Sequence, residues 1–277
     1  MNEKGQEPRF VHANGIRFAY LEEGSGPLVL LIHGFPDTPH TWDFVMPKIA
    51  AKGYRVVAPW TRGYAPSGIP KKDADAIDLS NDVLALIDAL GEKEAILVGH
   101  DWGASAVYGA TALAPSKVKK LFAVGIPHPA TIAPKPSKLW GVRHFVAFKL
   151  PGAAKRFAAN DFAALPALYR RWSPTWSPAP SEFDAIRETF SNRASLDAAL
   201  GYYRALSFTP VKELAIKTDV PTVVFFGSDD PNTNREDYER GRKMFGGPYK
   251  IEETPGGHFL HREAPEIFTE KLLSHLE

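Results

Sequence analysis

The chain contains no cysteine, which removes disulfides, thiolate nucleophiles and thiolate metal sites together. It also lacks an excess of either charge. Thirty-three Lys and Arg residues face 32 Asp and Glu, for a formal net charge of +1. No basic stripe argues for nucleic acid, and no acidic block argues for a disordered tail. The pairs Lys71-Lys72 and Lys119-Lys120 read as solvated surface. Apolar runs of membrane-spanning length are missing, and Met1 to Arg9 is polar, without the apolar stretch of a signal peptide. Repeats and low-complexity segments are missing too. The expectation is a soluble, cytoplasmic protein with no nucleic-acid or membrane partner; monomer and homodimer both stay open.

What is present fits one large domain, or one domain carrying an insertion. Over 277 residues, 44% are hydrophobic and 23% charged. Five short apolar runs read as strands buried on both faces: Leu28 to Ile32, Arg55 to Ala58, Ala95 to Val98, Leu121 to Val124 and Thr222 to Phe226. Continuous apolarity is what a parallel sheet covered by helices requires. Before them, Asn14-Gly15 between two strand-like segments signals a hairpin. Leu79, Val83, Leu86, Ile87 and Leu90 recur at helical spacing, with Asp78 placed to cap the start and Gly91 the end. Pro265 opens a final amphipathic helix. Strands alternating with helices predict an α/β fold. The stretch 131–210, rich in Pro, Ala and aromatics including Trp140, Trp172 and Trp176, breaks this rhythm. It reads as a helical cap inserted in a core of residues 1–130 and 211–277, lying over the carboxyl ends of the strands.

Four motifs carry the chemistry. Gly99-His100-Asp101-Trp102-Gly103 follows a strand and leads into a helix. That is the context of a nucleophile elbow, whose tight turn needs small flanking residues and places the nucleophile at a helix N-terminus. Here the nucleophile position holds Asp101 rather than Ser. His33-Gly34-Phe35-Pro36 follows an earlier strand and predicts an oxyanion hole from the backbone N–H groups of Phe35 and Trp102. Gly227-Ser228-Asp229-Asp230 and Gly256-Gly257-His258-Phe259 then supply an acid and a histidine in the expected order. Both Asp229 and Asp230 are candidates for the acid. His258 and His261, three residues apart with no further ligands, do not predict a metal site. His100 is expected to point into the core and His33 to stabilise a turn; His12, His40, His128 and His275 carry no signal.

The sequence resembles the epoxide hydrolase branch of the α/β-hydrolase family over nearly its whole length. The matching segments are His33 to Pro36, Arg62-Gly63-Tyr64 with Ser67, Gly99 to Gly103, Gly201-Tyr202-Tyr203-Arg204 and Gly257-His258-Phe259. The resemblance implies that the carboxylate attacks an sp³ carbon to form an alkyl-enzyme ester, which a histidine-activated water then hydrolyses. It makes Asp101 the nucleophile, His258 the base and Asp230 the orienting acid, because the family places its acid at the fourth position of the Gly-x-x-Asp turn. No cofactor is implied, and the substrate is expected to be a small hydrophobic epoxide lined by Trp102, Phe35 and Tyr203. The family's donor to the leaving oxygen falls on Tyr203, with Tyr202 as packing. Its second donor falls on His144, where a tyrosine is usual, and Tyr169 is the fallback. A bacterial branch using such a His–Tyr pair carries its acid at the position of Ala123, so this chain mixes features.

Haloalkane dehalogenases share the Asp nucleophile and the Trp after it. They pair that Trp with an Asn or a second Trp, and the Asn position holds Phe35. Fluoroacetate dehalogenases place arginines after the nucleophile, where this chain has Trp102 and Ala104. A non-catalytic receptor on the same fold would have a broken triad or a lost oxyanion turn, and neither is seen.

Overall fold

The computed structural model describes residues 7–132, 143–207 and 211–276. Trp140, Pro134, Pro136 and Pro210, which mark the expected cap and its edges, lie outside the described residues. The chain forms an eight-stranded sheet from β1 (Arg9–Ala13), β2 (Ile16–Gly24), β3 (Leu28–Ile32), β4 (Arg55–Pro59), β5 (Ala95–His100), β6 (Val118–Val124), β7 (Thr222–Gly227) and β8 (Tyr249–Thr254), in the order β1-β2-β4-β3-β5-β6-β7-β8. The first two strands pair antiparallel through Asn14-Gly15, and β2 is also antiparallel to β4; every later pairing is parallel. Both turn residues have positive φ, as a two-residue hairpin of this twist demands. All residues of β3, β5 and β7 are buried, which explains their unbroken apolar runs. The last strand escaped the sequence reading. Lys250, Glu252 and Glu253 line an edge that is only half-covered, so it shows no apolar run.

Helices flank the sheet: α1 (Met46–Ala50), α2 (Ala76–Ala89) and α3 (Trp102–Leu113) come before β6. Helix α2 starts earlier than expected. Asp75, not Asp78, is its N-cap, and the two side chains close a reciprocal capping box; Asp78 sits at the third helical position, where its carboxylate binds the N-cap amide. Gly91 follows the C-cap with φ +84, the left-handed conformation that ends helices.

Between β6 and β7 the described residues form only helices: α4 (Arg143–Lys149), α5 (Ala153–Phe157), α6 (Ala159–Phe162), α7 (Leu165–Trp172), α8 (Asp184–Ser191) and α9 (Arg193–Ala205). The chain then returns to the sheet and ends through α10 (Arg235–Gly241), α11 (Leu260–Glu263) and α12 (Pro265–Ser274). The inserted helices bury their apolar faces onto the core; Phe148, Tyr169, Trp172 and Phe190 are all buried. Each large buried apolar side chain contributes roughly 1.5–3 kcal/mol over an exposed one, so this contact is a stable one.

Candidate active site

Asp101 sits between β5 and α3 with φ +53 and ψ −118. A non-glycine residue there is strained, and the surrounding packing enforces it. A Cβ on Gly103 would meet the backbone oxygens of Ile32 and His33, and one on Gly34 would strike the Asp101 side chain. Only glycine lets these three segments touch. The result is that the Phe35 amide donates to Asp101 Oδ1 at 2.8 Å. The Trp102 amide is one of the free N–H groups at the start of α3, where a helix has no acceptors of its own.

His258 closes the group from the loop after β8. Its Nε2 lies 3.4 Å from Asp101 Oδ2 and its Nδ1 lies 3.6 Å from Asp230 Oδ2. The Asp230 side chain is fully buried, and it accepts from the Asn232 amide at 2.7 Å and the Thr233 hydroxyl at 3.1 Å. Asp229 is exposed and bonds to Ser228 instead. The structure thus brings Asp230, and not its neighbour, to the histidine. Burial alone would lower the His258 pKa, but the two flanking carboxylates more than offset it and raise it to about 10. For Asp101 burial acts upward, yet the His258 bond and charge and the Phe35 amide hold its carboxyl below the ordinary range. In the free protein the two form a carboxylate–imidazolium pair.

The backbone of His258 is pinned on both sides. Its N–H donates to Trp172 O in α7 at 2.9 Å, and its C=O accepts from His100 Nε2 at 2.9 Å. Ser173 Oγ accepts from the Phe259 amide and donates to Glu263, which in turn accepts from the Gly257 amide. His100 is buried, with its pKa lowered to about 3 by desolvation. His33 accepts from the Thr61 amide at Nε2 and donates from Nδ1 to Gly34 O, holding the His33–Pro36 turn. One ligating atom each of Asp37, His100 and His261 lie within 4.8 Å of one another. The Asp37 carboxylate is already taken up by Arg262, Tyr169 and Thr41, and a further cation beside Arg262 would meet a like charge.

Above Asp101 stand aromatic rings of the inserted helices. Tyr203 on α9 is buried and meets the Trp102 ring at 5.2 Å and the Phe35 ring at 5.4 Å, both edge-on. Burial first, then the Asp101 charge, pushes the Tyr203 pKa well up. His144 on α4 is also buried, 5.9 Å from the Tyr203 ring and 4.8 Å from the Trp172 ring. Tyr202 packs behind, its hydroxyl donating to Arg62 O. Tyr169 is not a spare donor: it gives its proton to Asp37 at 3.1 Å and stacks on Phe259.

Sequence reasoning missed Trp172 and Ser173, which hold the histidine loop, and Arg262. Arg262 ties Asp37 beside the oxyanion turn to Glu182 in the inserted helices, at 2.6 Å each, and its guanidinium lies over the Tyr169 and Trp176 rings. The four-residue step from His258 to Arg262 was the only local signal available.

An elbow carrying a carboxylate, an amide aimed at it, and a histidine between two acids, all at strand ends of a mostly parallel sheet, define a hydrolase of the α/β type. The family model for the alpha/beta hydrolase fold matches residues 27–265, and the chain belongs to that family. The chain is 28% identical to the AB hydrolase superfamily protein YfhM of Bacillus subtilis, over 99% of both chains. It is 29% identical to Epoxide hydrolase A of Mycobacterium tuberculosis, covering 97% of this chain and 96% of that protein. A solved structure of a putative epoxide hydrolase from Klebsiella pneumoniae superposes with a TM-score of 0.83 at 26% identity, over 96% of each chain.

Proposed function

We propose that the chain is an epoxide hydrolase that opens a small, largely apolar epoxide to a vicinal diol through an ester on Asp101. The observation that carries this reading is the charged carboxylate in the nucleophile position, held 2.8 Å from the Phe35 amide. An ionised carboxylate needs no base to attack carbon, which leaves His258 for a later step. The names of the two epoxide hydrolase relatives support the substrate class.

In the first step Asp101 attacks a ring carbon, the C–O bond breaks, and the departing oxygen takes the Tyr203 proton, with His144 as its second donor. Consuming the Asp101 charge removes part of what raises both pKa values. His258 becomes less basic and Tyr203 more acidic, and the proton His258 releases replaces the one Tyr203 has lost. In the second step neutral His258 takes a proton from water, whose oxygen adds to the Asp101 ester carbonyl. The Phe35 and Trp102 amides hold the oxyanion. Collapse passes the new carboxyl proton to the departing diol oxygen and restores the carboxylate–imidazolium pair, which Asp230 orients.

We read residues 131–210 as a cap domain on a core of 1–130 and 211–277, and place the protein in the cytoplasm. The helical run between β6 and β7 supports the first reading, and the lack of cysteine fits the second. No helix among the described residues is long and apolar enough to cross a membrane. A second activity, halide displacement from a haloalkane, has one observation in its favour. The buried indole N–H of Trp172, beside His258, has no partner among the described residues. The Trp102 ring, however, meets Tyr203 edge-on at 5.2 Å.

Labelling separates one-step from two-step chemistry. An initial cycle in ¹⁸O water followed by a single turnover in ordinary water should yield labelled diol, its oxygen drawn from Asp101. Product oxygen taken directly from the solvent of that turnover refutes the ester. Halide release measured on matched haloalkanes decides the second activity.

A further inference from the structure

Helix α9, which carries Tyr203, meets the core along one face. Ser195, Ala198 and Tyr202 recur at spacings of three and four residues, so they line one side of the helix. All three are buried and lie against the turn at 62–67, after β4. The Ser195 hydroxyl accepts from the Ala65 amide at 2.8 Å and donates to Gly63 O at 2.7 Å. The Tyr202 hydroxyl donates to Arg62 O. Between these bonds a Cβ on Gly63 would come within 2.7 Å of Ala198 Cβ, and Gly63 has φ +84, so only glycine admits this approach. The turn itself is fixed to the core. Arg62 pairs with Asp82 of α2, both buried, and Ser67 Oγ accepts from the Ala19 amide in β2 at 2.8 Å while donating to Trp60 O at 2.7 Å. Other contacts of α9 locate it less firmly. Arg204 reaches the exposed Asp73, and such solvent-facing pairs contribute little. The ring contacts of Tyr203 with Trp102, Phe35 and Phe148, at 4.9–5.4 Å, rest on non-directional apolar attraction and do not by themselves fix the place of its hydroxyl.

We propose that Ser195 and Tyr202 are positioning residues for Tyr203: through them the 62–67 turn of the core sets the place of the hydroxyl that receives the epoxide oxygen. This rests on the epoxide reading of the Asp101 site and names what aims its donor. Tyr203 follows Tyr202 directly, about 100° further round the helix, so holding the Tyr202 face against the turn directs Tyr203 toward Trp102 and Phe35. A donor has to be held within about 0.5 Å of its productive place to be effective. Without the Ser195 hydroxyl the Gly63 carbonyl is left buried and unpaired, a cost that a shift of α9 admitting water relieves. The contact serves the first chemical step alone. The second depends on α7, whose Trp172 carbonyl and Ser173 hydroxyl hold the loop of His258. Ester formation and ester hydrolysis are thus tied to different helices of the inserted segment.

The test is a double-mutant cycle in single-turnover reactions with styrene oxide, with alkylation and ester hydrolysis followed separately by quenched-flow intact mass. Ser195→Ala and Tyr202→Phe each delete one hydroxyl. Each should slow alkylation by about 10- to 100-fold and leave ester hydrolysis within about two-fold of wild type. In a Tyr203→Phe background Ser195→Ala should slow alkylation no further, because the hydroxyl it places is gone. A fully additive loss, or equal slowing of both steps, makes Ser195 merely structural and overturns the proposal. Alkylation at the wild-type rate in both single variants overturns it too. Should Ser195→Ala fail to fold, Tyr202→Phe, alone and combined with Tyr203→Phe, is read by the same criteria. If the wild type forms no ester with styrene oxide, the assigned activity fails, and ¹⁹F NMR of 3-fluorotyrosine incorporated at position 203 decides this proposal separately. Its resonance should shift in Ser195→Ala and in Tyr202→Phe; a resonance unchanged in both refutes the positioning role.

Discussion

Replacing Asp101 by Asn should change the protonation of His258 at neutral pH. In the free protein the imidazole lies 3.4 Å from one carboxylate and 3.6 Å from another, and its pKa stands at about 10. At that separation, and an effective dielectric of about 20, one unit charge contributes about 5 kcal/mol, or roughly three to four pH units. Removing the Asp101 charge while keeping its shape should therefore drop the His258 pKa to about 6–7. The amide reproduces the neutral ester in charge, so the variant reports on the state in which His258 has to deprotonate water. ¹⁵N-detected NMR titration of the imidazole nitrogens, in wild type and in Asp101→Asn, measures this directly. A His258 pKa that stays above about 9 in the variant would show that Asp230 alone holds the proton. The charge-coupled switch between the two steps would then be wrong.

His258→Gln should form the ester and fail to hydrolyse it, so intact mass after substrate addition should rise by one substrate. Unchanged mass with lost turnover would place His258 in the first step. Asp230→Asn should slow ester hydrolysis more than alkylation in single-turnover experiments, whereas Asp229→Asn, at an exposed carboxylate bonded to Ser228, should behave like wild type. Tyr203→Phe should slow alkylation by on the order of 10²-fold, while Tyr169→Phe, whose hydroxyl serves Asp37, should leave the alkylation rate within a few-fold; equal losses would make both residues merely structural. Stability should follow the Asp101–His258 pair. The folded pKa of His258 lies above its ordinary value, so its contribution is complete below about pH 6.5 and drains away as pH rises toward about 10. That of Asp101, whose pKa is lowered, is lost as pH falls below its ordinary value near 4. Urea unfolding should show a loss on the order of a few kcal/mol across the alkaline window in wild type, and a flatter profile in Asp101→Asn.

The parts of the site written in consecutive residues were legible in the sequence. Asp101, Phe35 and Asp230 each sit at the end of an apolar strand, in a turn whose glycines are dictated by backbone crowding, so the motif and the geometry coincide. The hairpin at Asn14-Gly15 was legible for the same reason. What the sequence did not show are contacts between distant segments with no periodicity of their own. Trp172 reaches His258 across 86 residues of chain (258 − 172), and Arg262 meets Asp37 and Glu182 from a third segment. Strand β8 was missed because an edge strand carrying alternating charges lacks the apolar run that marks its neighbours. The N-cap of α2 was misplaced because Asp75 and Asp78 are equally good caps by composition, and only the reciprocal hydrogen bonds distinguish them.

The backbone hydrogen bond from His258 to Trp172 O makes the placement of this imidazole a shared possession of two layers. An enzyme whose histidine was held by the core alone could exchange its upper helices freely, each new set bringing a new substrate range. Here a transplanted upper layer would have to present a carbonyl at the position of Trp172, a hydroxyl at that of Ser173 and an anion at that of Glu182. A chimera lacking them would fold and bind, yet leave its ester unhydrolysed for want of a positioned base. The feature that steadies the histidine thereby restricts which halves of related enzymes can be recombined with this one.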